Sequence, residues 1–130
     1  MDTIHPGLAA ERTTIVVDAL LATHLGSGGI AVYATPAMIA LMESAAVAAI
    51  DPLLPQGQAS VGIALDVKHL AATPLGQQVR ARAEVIEVDG RKVTFKVQAW
   101  DEKELIGEGT HTRYLIDTAR FVERVQAKKG

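Results

Sequence analysis

The chain has 130 residues, 48 % of them apolar, with a formal net charge of −2 and no cysteine. That is enough for one domain with one core, so residues 1–130 are expected to fold as a single unit. The charge balance argues against nucleic acid, whose binders carry a clustered basic face, and the missing cysteine excludes disulfides and thiolate metal sites. The N-terminus "MDTIHPGLAA" has no basic stretch followed by an apolar one, so no signal peptide is expected and the chain reads as soluble and cytoplasmic.

In chain order, the β-branched "RTTIVVDAL" (12–20) predicts a first strand. "GSGG" (26–29) predicts a flexible loop, and "IAVYA" a short extended piece. Next comes "YATPAMIALMESAAVAAIDP" (33–52), in which only Glu43 and Ser44 interrupt the apolar run from Ala37 to Ile50. Thr35 suits an N-cap and Pro36 the first helical position, while Asp51-Pro52 closes the run. A helix over about 36–50 follows, roughly 20 Å long and too short to span a bilayer, so no membrane partner is expected. A helix apolar nearly all round is buried in protein, which puts Glu43 in the wall of something enclosed.

"SVGIALDVKHL" (60–70) alternates, with Val61, Ile63, Leu65, Val67 and His69 expected on one face. "QQVRARAEVIEVDGRKVTFKVQAWD" predicts two long strands around an Asp-Gly turn, a strong hairpin signal. "ELIGEGTHTRYLID" (104–117) predicts a last strand, and "TARFVERVQAKKG" a short helix. A strand, a buried helix and four more strands joined by hairpins make an α+β fold with an antiparallel sheet. One long apolar helix wrapped by a curled five-stranded antiparallel sheet is the hotdog fold. A single such unit leaves a sheet edge and part of its helix bare, so a homodimer is expected.

Inside such a sandwich, polar residues are informative. Thr35, Glu43 and His69 stand out. A hydroxyl, a carboxylate and an imidazole are the groups acyl hydrolysis needs: the imidazole moves protons near neutral pH, and the carboxylate attacks, activates water or orients the imidazole. His5, His24 and His111 are read as loop or strand-surface residues, and the four histidines show no close metal-ligand spacing, so no metal and no cofactor are expected.

The segments "ATPAMIALMESAA", "SVGIALDVKHLAATPLGQQVRARAEV" and "GEGTHTRYLID" together resemble the fluoroacetyl-CoA thioesterase-like family of hotdog proteins. The resemblance implies an acyl-CoA thioesterase with an acyl-CoA substrate and a Thr–Glu–His triad, matched here by Thr35, Glu43 and His69. It also implies that Gly62 and Arg113 bind the thioester and coenzyme. One departure concerns the lid, which bears a phenylalanine in the fluoroacetyl-specific enzyme. Here the region reads "THLGSGGIAVYA", so fluoroacetyl selectivity does not follow. A non-catalytic acyl-CoA binder and a hotdog hydratase or dehydratase are the alternative readings.

Overall fold

A computed structural model describes residues 3–130. Strand β1 spans Ala9–Ile15, a short helix α1 Ala22–Leu25 and the central helix α2 Thr35–Ile50. Then follow β2 (Gln58–His69), β3 (Gln78–Asp89), β4 (Lys92–Trp100), β5 (Leu105–Asp117) and a C-terminal helix α3 (Thr118–Ala127). The five strands form one antiparallel sheet in the order β1-β3-β4-β5-β2, which wraps α2 as a hotdog.

The core is built from two periodicities. Along α2, Met38, Met42, Ala45, Ala46, Ala49 and Ile50 are buried, a helical stripe of i, i+4, i+7 and i+8. It packs chiefly on β1 and β3. On the sheet, Val79, Ala81, Ala83 and Val85 of β3 and Val93, Phe95, Val97 and Ala99 of β4 alternate inward. Alanines at facing positions let the sheet come close to the helix. The opposite side of α2 is only partly covered: Ile39, Leu41, Val47 and Ala48 are half-buried and Ala40 is exposed.

Three local departures from the sequence expectation matter. The first strand occupies Ala9–Ile15 rather than 12–20, because Asp18–Leu20 turns as a short 3₁₀ segment. The extended piece "IAVYA" contributes one bridge, Leu21 with Tyr33. In β2 the alternation breaks. Gly62 pairs with Arg113 and Ala64 with Thr112, leaving Ile63 as an extra, unpaired residue. This bulge exchanges the faces of the strand on either side of it. Val61 and Ile63 therefore do not share the face of Val67 and His69, contrary to the strict alternation. Gly62 does face inward, beside His111 and Arg113 of β5.

Strand β2 is also an edge. Its middle, Gly62 to Asp66, is exposed, with Ile63 and Leu65 about half accessible.

Candidate active site

The helix start differs from the sequence expectation. Ala34 is the N-cap, since its carbonyl accepts the Met38 N–H at 3.0 Å, and Thr35 is the first helical residue. Pro36 then sits second, still within the first turn, where a missing N–H has no partner to lose. Thr35 makes no capping bond. Its hydroxyl meets Nδ1 of His69 at 2.7 Å instead. His69 ends β2 on the inward face, which brings the imidazole to the N-terminus of α2. Its Nε2 is buried and has no partner among the described residues. Burial holds the His69 pKa below the ordinary imidazole value, with the backbone of Ala71 opposing, so the ring is neutral near pH 7.

Thr35 and His69 form part of the wall of a cavity of about 390 Å³. Ser27, Gly28, Gly29 and Ile30 line it as well, so the glycine-bearing segment borders this cavity.

Glu43 lies two turns further along α2. Its side chain is 37 % exposed, more open than an enclosed wall residue. One carboxylate oxygen stands 3.7 Å from Nη1 of Arg113. Gly62 lies against the same oxygen: a Cβ there would sit 2.8 Å from Oε2 and 3.1 Å from the His111 ring.

Beneath Glu43 runs a buried polar chain. Asp51, just past the end of α2, accepts the Ser60 hydroxyl at 2.6 Å. That hydroxyl in turn accepts Nε of Arg113 at 2.7 Å, and the Ser60 carbonyl accepts Nη2 at 3.0 Å. Nη1 of Arg113 donates to Nε2 of His111 at 3.1 Å, which requires the His111 proton on Nδ1, where the Ala64 carbonyl accepts it at 2.9 Å. Arg113 is 6 % exposed and His111 1 %. The guanidinium is thus held on several sides and presents its remaining donor capacity to Glu43. Phe95 stacks on the His111 ring with centroids 6.1 Å apart.

The residues singled out in the sequence therefore gather in two clusters. Thr35 and His69 are joined by a hydrogen bond. Glu43, Gly62 and Arg113 are mutual neighbours eight helical positions away, roughly 12 Å along the axis. His111 is not on a strand surface as expected; it is buried beneath the second cluster, because β5 faces the core through Gly109, His111, Arg113 and Leu115. Ser60 and Asp51 were not singled out at all. A signal did exist for His111: two residues before Arg113 on one strand, it must share that residue's face. No group of three metal-ligating side chains occurs among the described residues.

Known proteins resemble this chain over nearly its whole length. Residues 8–119 match the model of the family described as fluoroacetyl-CoA-specific thioesterase. A fluoroacetyl-CoA thioesterase of Streptantibioticus cattleyicolor is 43 % identical over 97 residues, which cover 75 % of this chain and 70 % of that protein. A solved structure of the fluoroacetyl-CoA thioesterase FlK superimposes with a TM-score of 0.92 at 35 % identity, covering 98 % of both chains. A Thermus thermophilus hypothetical protein, described as a thioesterase superfamily member, superimposes at 0.91 with 29 % identity over 99 % of this chain and 96 % of its own. With the fold shared end to end, the chain belongs to the fluoroacetyl-CoA-specific thioesterase family and is a hydrolase of CoA thioesters.

Proposed function

We propose that the protein hydrolyses short-chain acyl-CoAs through Thr35, Glu43 and His69, with Gly62 and Arg113 binding the thioester end of the substrate. The observation that carries this reading is the Thr35–His69 hydrogen bond of 2.7 Å on the wall of the cavity. When the Thr35 hydroxyl donates to Nδ1, the imidazole proton sits on Nε2, free to go to the departing thiolate. Glu43, oriented by Arg113 and given room by Gly62, attacks the thioester carbonyl or activates water for that attack. Backbone N–H groups at the start of α2 or near Gly62 hold the oxyanion.

The separation of the two clusters favours a site completed by a second copy. The half-covered side of α2 and the bare β2 edge support a homodimer. A second β2 added antiparallel at that edge runs the partner's His69 end toward Gly62 and so brings the partner's Thr35–His69 pair toward Glu43. In this arrangement Glu43 of one protomer works with Thr35 and His69 of its partner.

Fluoroacetyl-CoA, the substrate named for the relatives, falls within the proposed class without being singled out. Along Ser27–Ile30 the cavity is bordered by a serine, two glycines and one isoleucine, which supply little apolar contact with which to separate one small acyl group from another. The test is free-thiol release from purified protein with acetyl-, propionyl- and fluoroacetyl-CoA. Comparable kcat/KM across the three is expected. A thousandfold preference for the fluorinated ester would overturn the broad class, and release from none of the three would overturn the reading as a whole.

A further inference from the structure

Glu43 meets Arg113 at 3.7 Å, too long for a hydrogen bond, so its orientation depends on how firmly the guanidinium is placed. One edge of the guanidinium is tied by Ser60, which accepts Nε–H through its hydroxyl and Nη2–H through its carbonyl. Nη1, the nitrogen that faces Glu43, has one hydrogen-bond partner among the described residues, Nε2 of His111 at 3.1 Å.

An imidazole accepts on one nitrogen only while it is neutral and its proton is on the other. The Ala64 carbonyl holds that proton on Nδ1 at 2.9 Å. Both ring nitrogens are therefore engaged, one by an acceptor and one by a donor. A second proton, on Nε2, would point at the Nη1 N–H and set two cations 3.1 Å apart. The ring has little freedom to turn away. Phe95 of β4 stacks on it, and a Cβ on Gly62 would meet its Cε1 at 3.1 Å and the Glu43 carboxylate at 2.8 Å. The ring thus lies beside the same glycine that borders Glu43.

Among the described residues, two charged groups act on the ring. Arg113 on its own strand opposes a ring charge, and Glu43 on α2 favours one. From β4 it faces Phe95 between the buried Val93 and Val97, and from β2 the Ala64 carbonyl. Asp51, past the end of α2, acts on Arg113. Burial is the largest cause and, with Arg113, outweighs the Ala64 carbonyl and Glu43. The His111 pKa is held below the ordinary imidazole value, and the ring is neutral near pH 7.

We propose that His111 is a positioning residue for the hydrolysis: its neutral ring locks Arg113 against Glu43, and its protonation releases Arg113 and slows turnover. This rests on the thioesterase reading for its reaction, and one arm of its test does not depend on turnover.

The experiment follows kcat and KM for acetyl-CoA from about pH 5.5 to 8.5 in wild type, His111→Gln and His111→Leu, with a thermal melt at each pH to stay within the folded range. Glutamine offers an oxygen to Arg113 and an N–H to Ala64 and does not titrate; leucine fills space and offers neither. At about pH 7.5, His111→Leu should lose about tenfold or more in kcat with KM within about twofold, and His111→Gln should recover kcat to within about threefold of wild type. Between about pH 6.5 and 5.5 the wild-type kcat should fall about threefold or more further than that of His111→Gln. His69 titrates in both proteins, so the difference between the two profiles belongs to His111. Parallel profiles overturn the proposal, as does a folded His111→Leu with wild-type kcat; if His111→Leu does not fold, the His111→Gln profile decides. If wild type releases no thiol from the ester, the thioesterase reading fails alone, and NMR of the side-chain nitrogens decides. Arg113 N–H signals that persist near pH 7.5 and vanish as His111 titrates support the lock, at roughly the pH where the ring takes its proton. Arg113 signals that are absent throughout, or that ignore the His111 titration, overturn it.

Discussion

Gly62 and Glu43 are in contact across the sheet–helix interface with no space between them, so that one added methyl would stand 2.8 Å from the carboxylate oxygen. It would also press on the His111 ring at 3.1 Å and on Arg113 at 3.4 Å. The backbone at Gly62 is not left-handed, so alanine is conformationally allowed there and the cost falls on the neighbours. The Glu43 carboxylate is the far end of a flexible, partly exposed side chain and gives way first. Gly62→Ala is therefore expected to fold with a melting temperature within a few degrees of wild type and to lose about tenfold or more in kcat. Steady-state kinetics beside a thermal melt check this; a wild-type kcat would mean that the position of Glu43 is not critical.

Thr35 separates two roles that a residue at a helix start often combines. Its hydroxyl goes to His69 and not to the helix N–H groups, so removing it takes no cap away. Thr35→Ala should leave stability within about 0.5 kcal/mol, where loss of a true N-cap costs about 1. Its rate should fall, and Thr35→Ser, which keeps the hydroxyl, should recover most of it. Chemical denaturation together with thiol release distinguishes the two effects.

Mixing variants tests the shared site. Glu43→Ala and His69→Ala should each be nearly inactive as homodimers. If Glu43 works with the partner's Thr35 and His69, a heterodimer of the two variants contains one intact set. Subunit exchange between the purified variants should then restore activity. No recovery, with exchange verified by mass, would keep each site within one chain; light scattering at the 13.8 kDa chain mass would exclude the dimer itself.

Ser60 supports Arg113 with both its hydroxyl and its carbonyl and is itself held by Asp51. Ser60→Ala leaves a buried guanidinium N–H and an Asp51 oxygen short of a partner. A loss of about 1–3 kcal/mol in denaturant unfolding is expected. Ser60→Thr, which keeps the oxygen, should lose less, and an alanine variant as stable as wild type would mean that water replaces the hydroxyl.

Two histidines make stability depend on pH. Burial is the main cause that lowers the pKa of both His69 and His111; Arg113 adds to it at His111, while the Ala64 carbonyl and Glu43 oppose. Unfolded imidazoles titrate near 6.5. As pH falls through that value the unfolded chain takes up protons before the folded chain does, so stability falls, and it levels off only below the folded pKa values. Melting temperatures should be flat from about pH 7.5 to 8.5 and decline between about 6.5 and 5.5. His111→Gln, which can still donate to Ala64 and accept from Arg113, should flatten part of the decline.

Much of the fold was legible because its signals are local. Composition and the closing Asp51-Pro52 placed α2 to within one residue of its ends, and the Asp89-Gly90 turn placed the β3–β4 hairpin. The members of the candidate site were legible from their chemistry and from the family resemblance, but their grouping was not. Whether the Thr35 hydroxyl caps a helix or meets an imidazole 34 positions away depends on tertiary contact, and propensity favoured the cap. The bulge at Ile63 was invisible for a different reason. "SVGIALDVKHL" alternates without a break, and only pairing with β5 shows that one residue has no partner. Ser60 read as the first residue of a strand and Asp51 as a helix stop, because their value lies in Arg113, which is distant in sequence.

That bulge sets a parity rule for the chain. Gly62 and His69 are seven positions apart, an odd interval that an unbroken strand would divide between opposite faces. Ile63 makes the interval behave as an even one. Deleting Ile63 would leave six positions in regular alternation and keep both residues inward, with His69 drawn roughly 3 Å toward Gly62 and away from Thr35. Deleting one residue between Ala64 and Lys68 would turn either Gly62 or His69 outward while the bulge remains. The strand can thus lose its extra residue and keep both Gly62 and His69 inward, whereas a deletion further along toward His69 that leaves the bulge in place cannot keep both.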